Sequence, residues 1–474
     1  MATTNEFKTQ LWPTAYEGAA DNYRLERNLG FNVDQDDLAA FELATLRRRS
    51  ANAVRNIDVA KTALRQYTTM LGPVAVLWKN SKGTTATKMQ KLWNRFAEAP
   101  TLDTYGNLDN LQMLWKVEMF KEGEAFTRML IKKRDLGVVP LVLQPINANY
   151  LDPTYRDPSR NIKSGIEFKN TKPVAYHFNS RRNSTIAFME TRNLFERVRI
   201  PAEEVLHIFS REEAGQWRGI PELTASLLKL YSYDDLIDAS AMKAIAAKAI
   251  SWVIKNTNPS SGFVPGHISQ TMDTSTGEQI KVAQVAASGV HYLNPGEDAQ
   301  FFEGEGIGNN LLSLIDTQLA NIAMSVGLYP SMLTGDIGKL SFSSLKYLVN
   351  ESRKAAELAT QLYIINLGLV PLCRRFQELA SLTYRSAESL VPSFQFPTYV
   401  TLDKLDDAKT DMLEVSQNLN TLQRVLQDRG LTIEEVVEDK VLRESLGLEF
   451  ATNLATSMSA QQSNVVPNSN SQNN

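Results

Sequence analysis

Residues 221–255 read PELTASLLKLYSYDDLIDASAMKAIAAKAISWVIK, and the organisation of the whole chain can be worked out from this stretch. Pro221 stands where the first turn of a helix tolerates proline. The apolar side of the predicted helix consists of Leu223, Leu227, Leu230, Tyr231, Ile237, Ile245 and Val253. At about 1.5 Å per residue, one continuous helix would be about 50 Å long.

The second half of this predicted helix is unusually slim. Its small side chains are Ala239, Ala241, Ala244, Ala246, Ala247 and Ala249. A long slim helix cannot bury its apolar side alone, so it requires neighbours from its own chain or from identical subunits. Small residues would let tilted helices approach closely in a crowded ring. An ordinary helical bundle explains the same features equally well.

An α+β unit is predicted before this helix, following a polar arm over residues 1–36. Helical periodicity covers residues 37–70, 87–97 and 108–121. Strand patterns cover residues 125–132, 141–146 and 204–209. A hairpin is predicted from residues 165–169 and 174–178, because Asn170 to Pro173 between them are turn-forming residues.

After residue 256 the pattern changes repeatedly. Short β-like runs such as residues 279–285 predict a small strand-rich insertion, and residues 309–326 return to helical periodicity. A loop with Pro330, Gly335 and Gly338 follows.

The remainder of the chain is predicted to be helical, except for its end. A long helical pattern covers residues 343–384, and Pro371 predicts a kink within it. Residues 403–447 are predicted to form short, acidic, amphipathic helices. The Ser-, Asn- and Gln-rich residues 459–474 predict a disordered tail.

Composition restricts the function. The formal charge is −3 over 474 residues, which argues against a protein that grips nucleic acid electrostatically but not against one that lets DNA slide past. The single cysteine, Cys373, allows neither a disulfide nor a zinc cluster within one chain. No run approaches the roughly eighteen apolar residues of a membrane helix, and the first residues lack a signal-peptide core. We therefore expect a protein of the reducing cytosol without a membrane segment.

Three short motifs are typical of enzymes, and each departs from its pattern. The segment from Gly335 to Ser341 resembles a phosphate-binding loop, but Leu340 stands where serine or threonine must hold magnesium. A glycine-rich stretch at residues 304–309 misplaces its third glycine and lacks a βαβ unit. Ser343 and Lys346 fit an acyl-transfer spacing without the partner motifs, so the Ser343 and Ser344 hydroxyls are expected to cap a helix.

Paired side chains of catalytic or metal-binding type are not recognisable. None of the four histidines has metal-ligand spacing to another histidine or to the cysteine, and His177 and His207 lie in strand patterns that predict packed side chains. The pair Asp234-Asp235 is expected on a solvated helix face. We predict no catalytic residue, no cofactor and no metal.

If the long helix lines a channel, its lysines are the candidates to face phosphate. These are Lys243, Lys248 and Lys255, with Lys229 nearer the start. Sparse lysines in a near-neutral wall would keep DNA mobile, because each added phosphate contact deepens binding. Without an aromatic platform or a base-reading element, such contact would be weak and independent of sequence.

The order of these pieces resembles the portal proteins of lambda-like tailed bacteriophages over residues 40–450. The segments that carry the resemblance are Arg48-Arg-Ser-Ala-Asn-Ala-Val-Arg-Asn56, the hairpin at 165–178, Gly215-Gln-Trp-Arg-Gly-Ile-Pro221, residues 233–249, Asn294-Pro-Gly-Glu297, Gly327-Leu-Tyr-Pro330, Leu333-Thr-Gly-Asp336, Ser341-Phe-Ser-Ser344 and Gly430-Leu-Thr-Ile-Glu-Glu-Val436. Phe342 departs from the tyrosine that is usual in the family.

The resemblance implies a mainly α, α+β fold assembled as a ring, usually of twelve subunits. The expected regions are an N-terminal arm (1–36), an α+β wing (37–220), a first stem helix (221–256), a small β-containing clip (257–308), a second stem helix (309–327), a tunnel loop (328–343), a kinked helix with the wing return (344–400), a helical C-terminal crown (401–458) and a disordered tail (459–474).

The resemblance also implies the function and the partners. The ring would be a passive channel for double-stranded DNA during packaging and ejection, located in the virion at the capsid portal vertex after assembly in the host cytoplasm. Its partners would be the terminase large subunit, a head–tail connector or adaptor, and the major capsid protein. The loop side chains expected to face DNA are Tyr329, Met332, Asp336, Lys339 and Ser341.

Two other classes of protein stay open at this point. A coat or scaffold protein would form shells or transient complexes in place of closed rings. A nucleic-acid-processing enzyme such as a nuclease or motor would require converging carboxylates or a true phosphate-binding loop.

Overall fold

The structure is a computed structural model, and it describes most of the chain. The described residues are 35–80, 86–104, 106–132, 139–179, 197–249, 253–254, 269–272, 279–282, 291–292, 309–338, 340–382, 384–397, 404–429, 431 and 433–445. The fold is mixed α+β and mainly helical. The predicted arm up to residue 34 and the predicted tail at 459–474 lie outside the described residues.

Two helices, not one, form the first helical region. Helix α1 covers Gln35–Asn56 and helix α2 covers Asp58–Thr69. Ile57 between them is extended, with φ −108° and ψ 118°, and its side chain is buried in a hydrophobic core. The spacing of apolar residues did not reveal this break. Ile57 fits the apolar face of a continuous helix, although its backbone is extended.

The next helices match their predictions and build a first hydrophobic core. Helices α3 (Thr87–Glu98) and α4 (Leu108–Glu122) contribute buried aromatic side chains to it. Trp93 packs edge-on against Phe376 from the C-terminal half of the chain, with ring centroids 4.9 Å apart. Residues almost 300 positions apart in sequence are thus joined in one core.

A two-stranded sheet closes the same part of the fold. Strand β1 (Ala75–Lys79) pairs in antiparallel fashion with β13 (Val391–Gln395). Neither strand was predicted, since each is short and the pairing is formed only when the two halves of the chain meet.

Three of the predicted strands form one antiparallel sheet. Strand β2 (Glu124–Ile131) lies between β3 (Leu141–Ile146) and β8 (Val205–Phe209). The predictions of these strands are confirmed, with boundaries shifted by one residue at β2 and β8.

A second antiparallel sheet contains the predicted hairpin. Its strands, in spatial order, are β4 (Ile162–Lys163), β5 (Ile166–Lys169), β6 (Lys172–Asn179) and β7 (Arg197–Pro201). Asn170 and Thr171 connect β5 to β6 with φ values of 47° and 64°, as a tight hairpin turn requires. The hairpin is confirmed, whereas β4 and β7 were not predicted.

The long helix is shorter than predicted. Helix α5 covers Leu227–Ala249 and follows a 3₁₀ turn at Thr224–Ser226, so the single helix predicted over residues 221–255 was wrong at both ends. The Thr224 hydroxyl donates to the Pro221 carbonyl at 2.7 Å, and such side-chain bonds compete with a regular first helical turn. At the other end, β-branched Val253–Ile254 favour a strand.

The described residues of the insertion are strands, as the sequence predicts. Strand β9 (Val253–Ile254) pairs in parallel with β12 (His291–Tyr292). Strands β10 (Ser269–Met272) and β11 (Gln279–Val282) form an antiparallel pair.

Helices return after the insertion. Helix α6 covers Asn309–Ser325, which confirms the prediction for residues 309–326. The loop predicted over residues 328–343 contains a short helix, α7 (Pro330–Thr334), that the sequence reading did not predict. Pro330 stands in its first turn, where proline needs no hydrogen-bond partner.

The predicted kinked helix has three consecutive parts. Helix α8 covers Phe342–Ala359, a π-helical segment covers Thr360–Leu369, and helix α9 covers Val370–Ser381. Pro371 cannot donate a backbone hydrogen bond to the preceding turn. The Val370 amide directly before it donates five residues back, to the Ile365 carbonyl, as in a π-helix.

By length and composition alone, the helical run Phe342–Ser381 could cross a membrane, which the sequence reading did not anticipate. One such helix is weak evidence, because the core helix of a soluble protein passes the same test. Its π-helical segment and α9 supply Ile364, Leu369 and Phe376 to the first core, so these side chains pack inside the protein.

The C-terminal region matches the prediction of short helices. The three helices are α10 (Lys404–Ser416), α11 (Leu422–Asp428) and α12 (Ile433–Ser445). Many of their apolar side chains are exposed, including Met412, Leu413 and Val441.

Candidate functional site at the base of the long helix

The base of helix α5 is embedded in a second hydrophobic core. Leu223, Leu227 and Leu230 are buried there with Ile322 near the end of α6 and Val326 directly after it. The other walls come from the first helices and from α4, through Ala53, Val54, Ile57, Ala60, Ala63, Leu64 and Phe120. The described remainder of α5 beyond Tyr233 is mostly exposed.

A buried carboxylate holds the segment that leads into this helix. Glu124, at the start of β2, is fully buried and forms ion pairs with Arg47 and with Arg218, the latter at 2.7 Å. The Gly219 amide donates to the same carboxylate at 3.0 Å. Burial opposes ionisation, but Arg218 and Arg47 outweigh it and hold the pKa of Glu124 well below its usual range.

The two arginines connect this carboxylate to separate parts of the chain. Arg47 of α1 also donates to the carbonyls of Glu122 and Ala148, at 2.8 and 3.2 Å. Arg218 donates to the carbonyls of Ser164 and Leu151, at 2.7 and 3.0 Å. The network therefore fixes four parts of the fold relative to one another. They are α1, the sheet of β3, β2 and β8, the sheet of β4 to β7, and the segment that leads into the long helix.

His207 completes the network from strand β8. A carboxylate can only accept, so Nε2 of His207 donates to Glu124 at 3.2 Å, and Nδ1 accepts from the Tyr176 hydroxyl at 3.3 Å. Burial lowers the pKa of His207 by more than Glu124 raises it, which favours the neutral ring. The prediction that His207 and His177 are packed side chains is confirmed, since both are buried.

Met332, one of the five predicted loop residues, serves packing. It is half-buried against the second core, and the Ser352 hydroxyl lies 3.9 Å from its sulfur. Tyr329 forms the N-cap of α7 and is partly exposed.

The other predicted loop residues lie on the exposed side. The Asp336 carboxylate accepts from the Gly338 amide at 3.0 Å and stays exposed. Ser341 is the N-cap of α8, and its hydroxyl accepts from the Ser344 amide at 3.2 Å. The expectation that Ser343 and Ser344 cap this helix was therefore wrong, because the helix begins one residue earlier than predicted. Lys339 lies outside the described residues.

The lysines expected to face DNA lie in the second half of α5 and after it. Lys243 and Lys248 belong to α5 by their backbone, but their side chains lie outside the described part of the structure, as does Lys255 altogether. Their role stays a prediction.

The described charged side chains on the two long helices are mainly acidic, which the sequence reading did not emphasise. They are Lys229, Asp234, Asp235 and Asp238 on α5 and Asp316 on α6. Asp316 and Asp234 lie close enough to Tyr233 to raise the pKa of its hydroxyl, after the larger effect of burial. The solvated face that was expected around Asp234 and Asp235 on α5 thus continues onto α6.

Large apolar side chains are exposed on α5. Leu228, Met242 and Ile245 expose 80%, 72% and 68% of their surface. Contiguous exposed apolar surface is typical of sites of protein–protein contact.

Metal-binding geometry is missing from the described residues. No group of three or more His, Cys, Asp or Glu side chains among them could hold an ion.

The comparison with protein families assigns the class. The family described as "Phage portal protein, lambda family" matches residues 27–359, which is more than half of the chain. The architecture and this match define a phage portal protein, a structural component of the virion and not an enzyme. The chain belongs to the lambda family of phage portal proteins.

Similar solved structures include particles of gene transfer agents. The neck of a native GTA particle computed with C12 symmetry has a TM-score of 0.42 and 11% identity. The neck of an empty GTA particle computed with C6 symmetry gives 0.44 and 12%. The virion of a native gene transfer agent gives 0.37 and 12%. Each comparison covers 82% of this chain and 93% of the other chain.

Proposed function

We propose that copies of this chain close into a ring, usually of twelve subunits, and that double-stranded DNA passes through it during packaging and ejection. The observation that carries the proposal is the uncovered apolar surface of α5, at Leu228, Met242 and Ile245. In a ring the neighbouring subunit would cover these side chains.

The charge of the long helices supports a conduit in preference to a clamp. Asp235, Asp238 and Asp316 are exposed near the base of α5 and α6. Carboxylates repel phosphate, and the affinity for DNA rises with the number of phosphates that lysine or arginine neutralises. Whether these carboxylates face the channel or pair with cations of a neighbouring subunit, they leave few cations free to bind phosphate, so the duplex would be free to move.

The loop between α6 and α8 is the proposed contact with the moving DNA. Asp336 and Ser341 are exposed on it, while Met332 anchors its short helix to the second core. Lys339, three residues after Asp336 in sequence, supplies the loop's cation. Changing Lys339 or Asp336 should therefore impair packaging without preventing ring formation.

The proposed partners follow from family membership. The terminase large subunit would dock on the ring and hydrolyse ATP, and a head–tail connector would replace it after packaging. The major capsid protein would surround the ring at the portal vertex, with assembly in the host cytoplasm. The division into arm, wing, stem, clip, tunnel loop and crown is part of the same proposal.

Electron microscopy tests the ring directly. Purified full-length protein, alone and co-expressed with the coat protein, should give end-on class averages of closed rings with an axial opening. A uniform monomeric population at high concentration in both preparations would contradict the proposal. Shells or transient complexes without closed rings would favour a coat or scaffold protein.

A further inference from the structure

Two uncovered surfaces of opposite charge lie on the helices at the base of α5. The basic face consists of Arg48, Arg49 and Arg55 on α1 and Lys61 and Arg65 on α2. The acidic face consists of the exposed Asp235 and Asp238 on α5 and Asp316 on α6. Within the described residues, no ion pair involves any member of either face.

The basic face is continuous along α1. Arg48 and Arg55 are seven residues apart, so they lie on the same side of the helix, about 10 Å from one another. Both are exposed, as are Lys61 and Arg65, which are one turn apart on α2. The exposed described carboxylates on the two helices are Glu42 and Asp58, which leaves this surface positively charged.

The acidic face borders the uncovered apolar side of α5. Leu228, Asp235 and Met242 recur every seven residues and therefore lie in one line along the helix. All three are exposed in the single chain. A partner for this line must offer a cation between two apolar or aliphatic contacts, as the stems of arginine and lysine side chains can.

The two faces are neighbours in one protomer but do not pair there. The Tyr231 hydroxyl of α5 donates to the Arg49 carbonyl at 3.3 Å, so α1 passes beside the long helix. Helix α1 nevertheless presents Arg48 and Arg55 to solvent, and α5 presents Asp235 to solvent. Each face is thus available to a second molecule.

A ring requires two different surfaces on each subunit. In a closed ring every contact is head-to-tail, so one face of a subunit meets another face of the next. We propose that the basic face of one copy docks on the acidic face of the α5 and α6 helices of the neighbouring copy. This inference rests on the proposed ring and names the residues that form its contact.

The contact is expected to depend on salt. The charges are exposed in the free subunit, and exposed charges are screened over roughly 8 Å at physiological ionic strength. Electrostatic complementarity of this kind sets orientation and rate of association more than affinity. The apolar residues beside it would supply the salt-independent part of the interface.

Charge reversal tests the pairing in the full chain. Arg48→Glu with Arg55→Glu, and separately Asp235→Lys with Asp238→Lys, should each raise the subunit concentration at half-assembly at least tenfold. The combination of all four substitutions should restore most of the loss, because opposite charges face each other again. Light scattering across a concentration series measures assembly, and circular dichroism confirms that each variant is folded.

Control variants carry single charge reversals of the same kind elsewhere on the surface. Lys172→Glu on the β5–β6 hairpin and Glu203→Lys between β7 and β8 are both exposed positions, and rings should form as in the wild type. In the wild type, raising sodium chloride should weaken assembly, whereas the apolar variant Leu228→Ala should weaken it equally at all salt concentrations.

The outcomes separate this inference from the proposed function. Wild-type rings that persist in both reversed variants would overturn the pairing and leave the ring intact. A folded combined variant without recovery, or assembly insensitive to salt, would also overturn it. Reversed basic variants that form rings but lose DNA binding would assign the basic face to DNA. A wild type without rings would contradict the proposed function itself.

Discussion

Gly219 packs directly against the backbone of Gly123, where the segment leading into α5 crosses the end of α4. A Cβ built on Gly219 would overlap the Gly123 carbonyl oxygen, and one built on Gly123 would lie 2.6 Å from the Gly219 carbonyl oxygen. Gly123 also has a φ of 87° and ends α4 in the left-handed conformation. This close approach lets the Gly219 amide reach Glu124.

Gly219→Ala should therefore destabilise the protein strongly. The added methyl group must push two backbone segments apart and weaken the bond to Glu124, which we expect to cost about 3 kcal/mol. Urea unfolding of the purified chain measures the difference in the free energy of unfolding.

The control for this substitution is Gly215→Ala, four residues earlier. Gly215 has a φ of 90°, but nothing lies within 4 Å of an added Cβ, so only the backbone strain is incurred. That strain is about 1 to 2 kcal/mol. If Gly215→Ala proves the more damaging of the two, the crossing is not as tight as the structure has it.

Glu124→Gln is the second prediction. The substitution keeps the shape of the side chain but leaves Arg47 and Arg218 buried without a counter-charge, which typically costs about 3 to 5 kcal/mol. Unfolding followed by circular dichroism in urea checks the value.

The comparison for Glu124→Gln is Glu204→Gln, which breaks the ion pair between Glu204 and Arg128 of strand β2. Glu204 accepts from Arg128 at 2.9 Å, and both side chains are about 30% exposed. A partly solvated pair of this kind contributes up to about 1 kcal/mol. Equal losses in the two variants would mean that the Glu124 network has no special role.

Local patterns predicted the local elements of this fold well. Helices α3, α4 and α6 and strands β2, β3 and β8 lie within a few residues of their predicted positions, because apolar periodicity and turn residues determine them. The family resemblance added the class of protein, which no single motif in the chain could have supplied.

Local sequence patterns could not predict the strand pairings between distant parts of the chain. Strand β1 has one edge on β13, and on its other edge the Gln90 side chain donates to the Val76 carbonyl and accepts from the Trp78 amide, at 3.1 and 2.9 Å. A glutamine that substitutes for a neighbouring strand has no signature in sequence.

The buried charge network was missed for a related reason. Arg47 belongs to a run of three arginines in which Arg48 and Arg49 are exposed, so only the fold distinguishes the one that reaches Glu124. One feature of the sequence could have identified Arg47 as buried. It lies on the same face of the helix as Leu43 and Val54, which are buried.

Glu222 should make stability depend on pH. It lies in the segment before α5, and burial, with a smaller effect from Glu212, raises its pKa from 4.5 to about 7. Between pH 4.5 and 7 the folded chain retains a proton on Glu222 that the unfolded chain releases. The stabilisation from this bound proton is fully present below about pH 4.5 and is lost as pH rises through 7. Glu222→Gln removes the ionisation and should gain up to about 3 kcal/mol relative to the wild type between pH 5 and 8.

Urea unfolding of both proteins at several pH values measures this difference. Glu118→Gln on α4 is a useful comparison, because burial raises the pKa of Glu118 to about 8. Its advantage over the wild type should keep growing above pH 7, where that of Glu222→Gln levels off. A constant difference for Glu222→Gln across the range would show that its carboxyl does not ionise in this window.

The start of α8 provides the last prediction. Ser341 caps this helix through the Ser344 amide, directly after the loop proposed to contact DNA. Ser341→Ala removes the acceptor, and a lost cap costs about 1 kcal/mol. The first turn of α8 should then open more often, and its amides should exchange hydrogen about fivefold faster. Ser343→Ala, an exposed serine two residues later, is the control and should leave exchange unchanged. Faster exchange in Ser343→Ala than in Ser341→Ala would move the helix start to the position that the S-x-x-K spacing suggested.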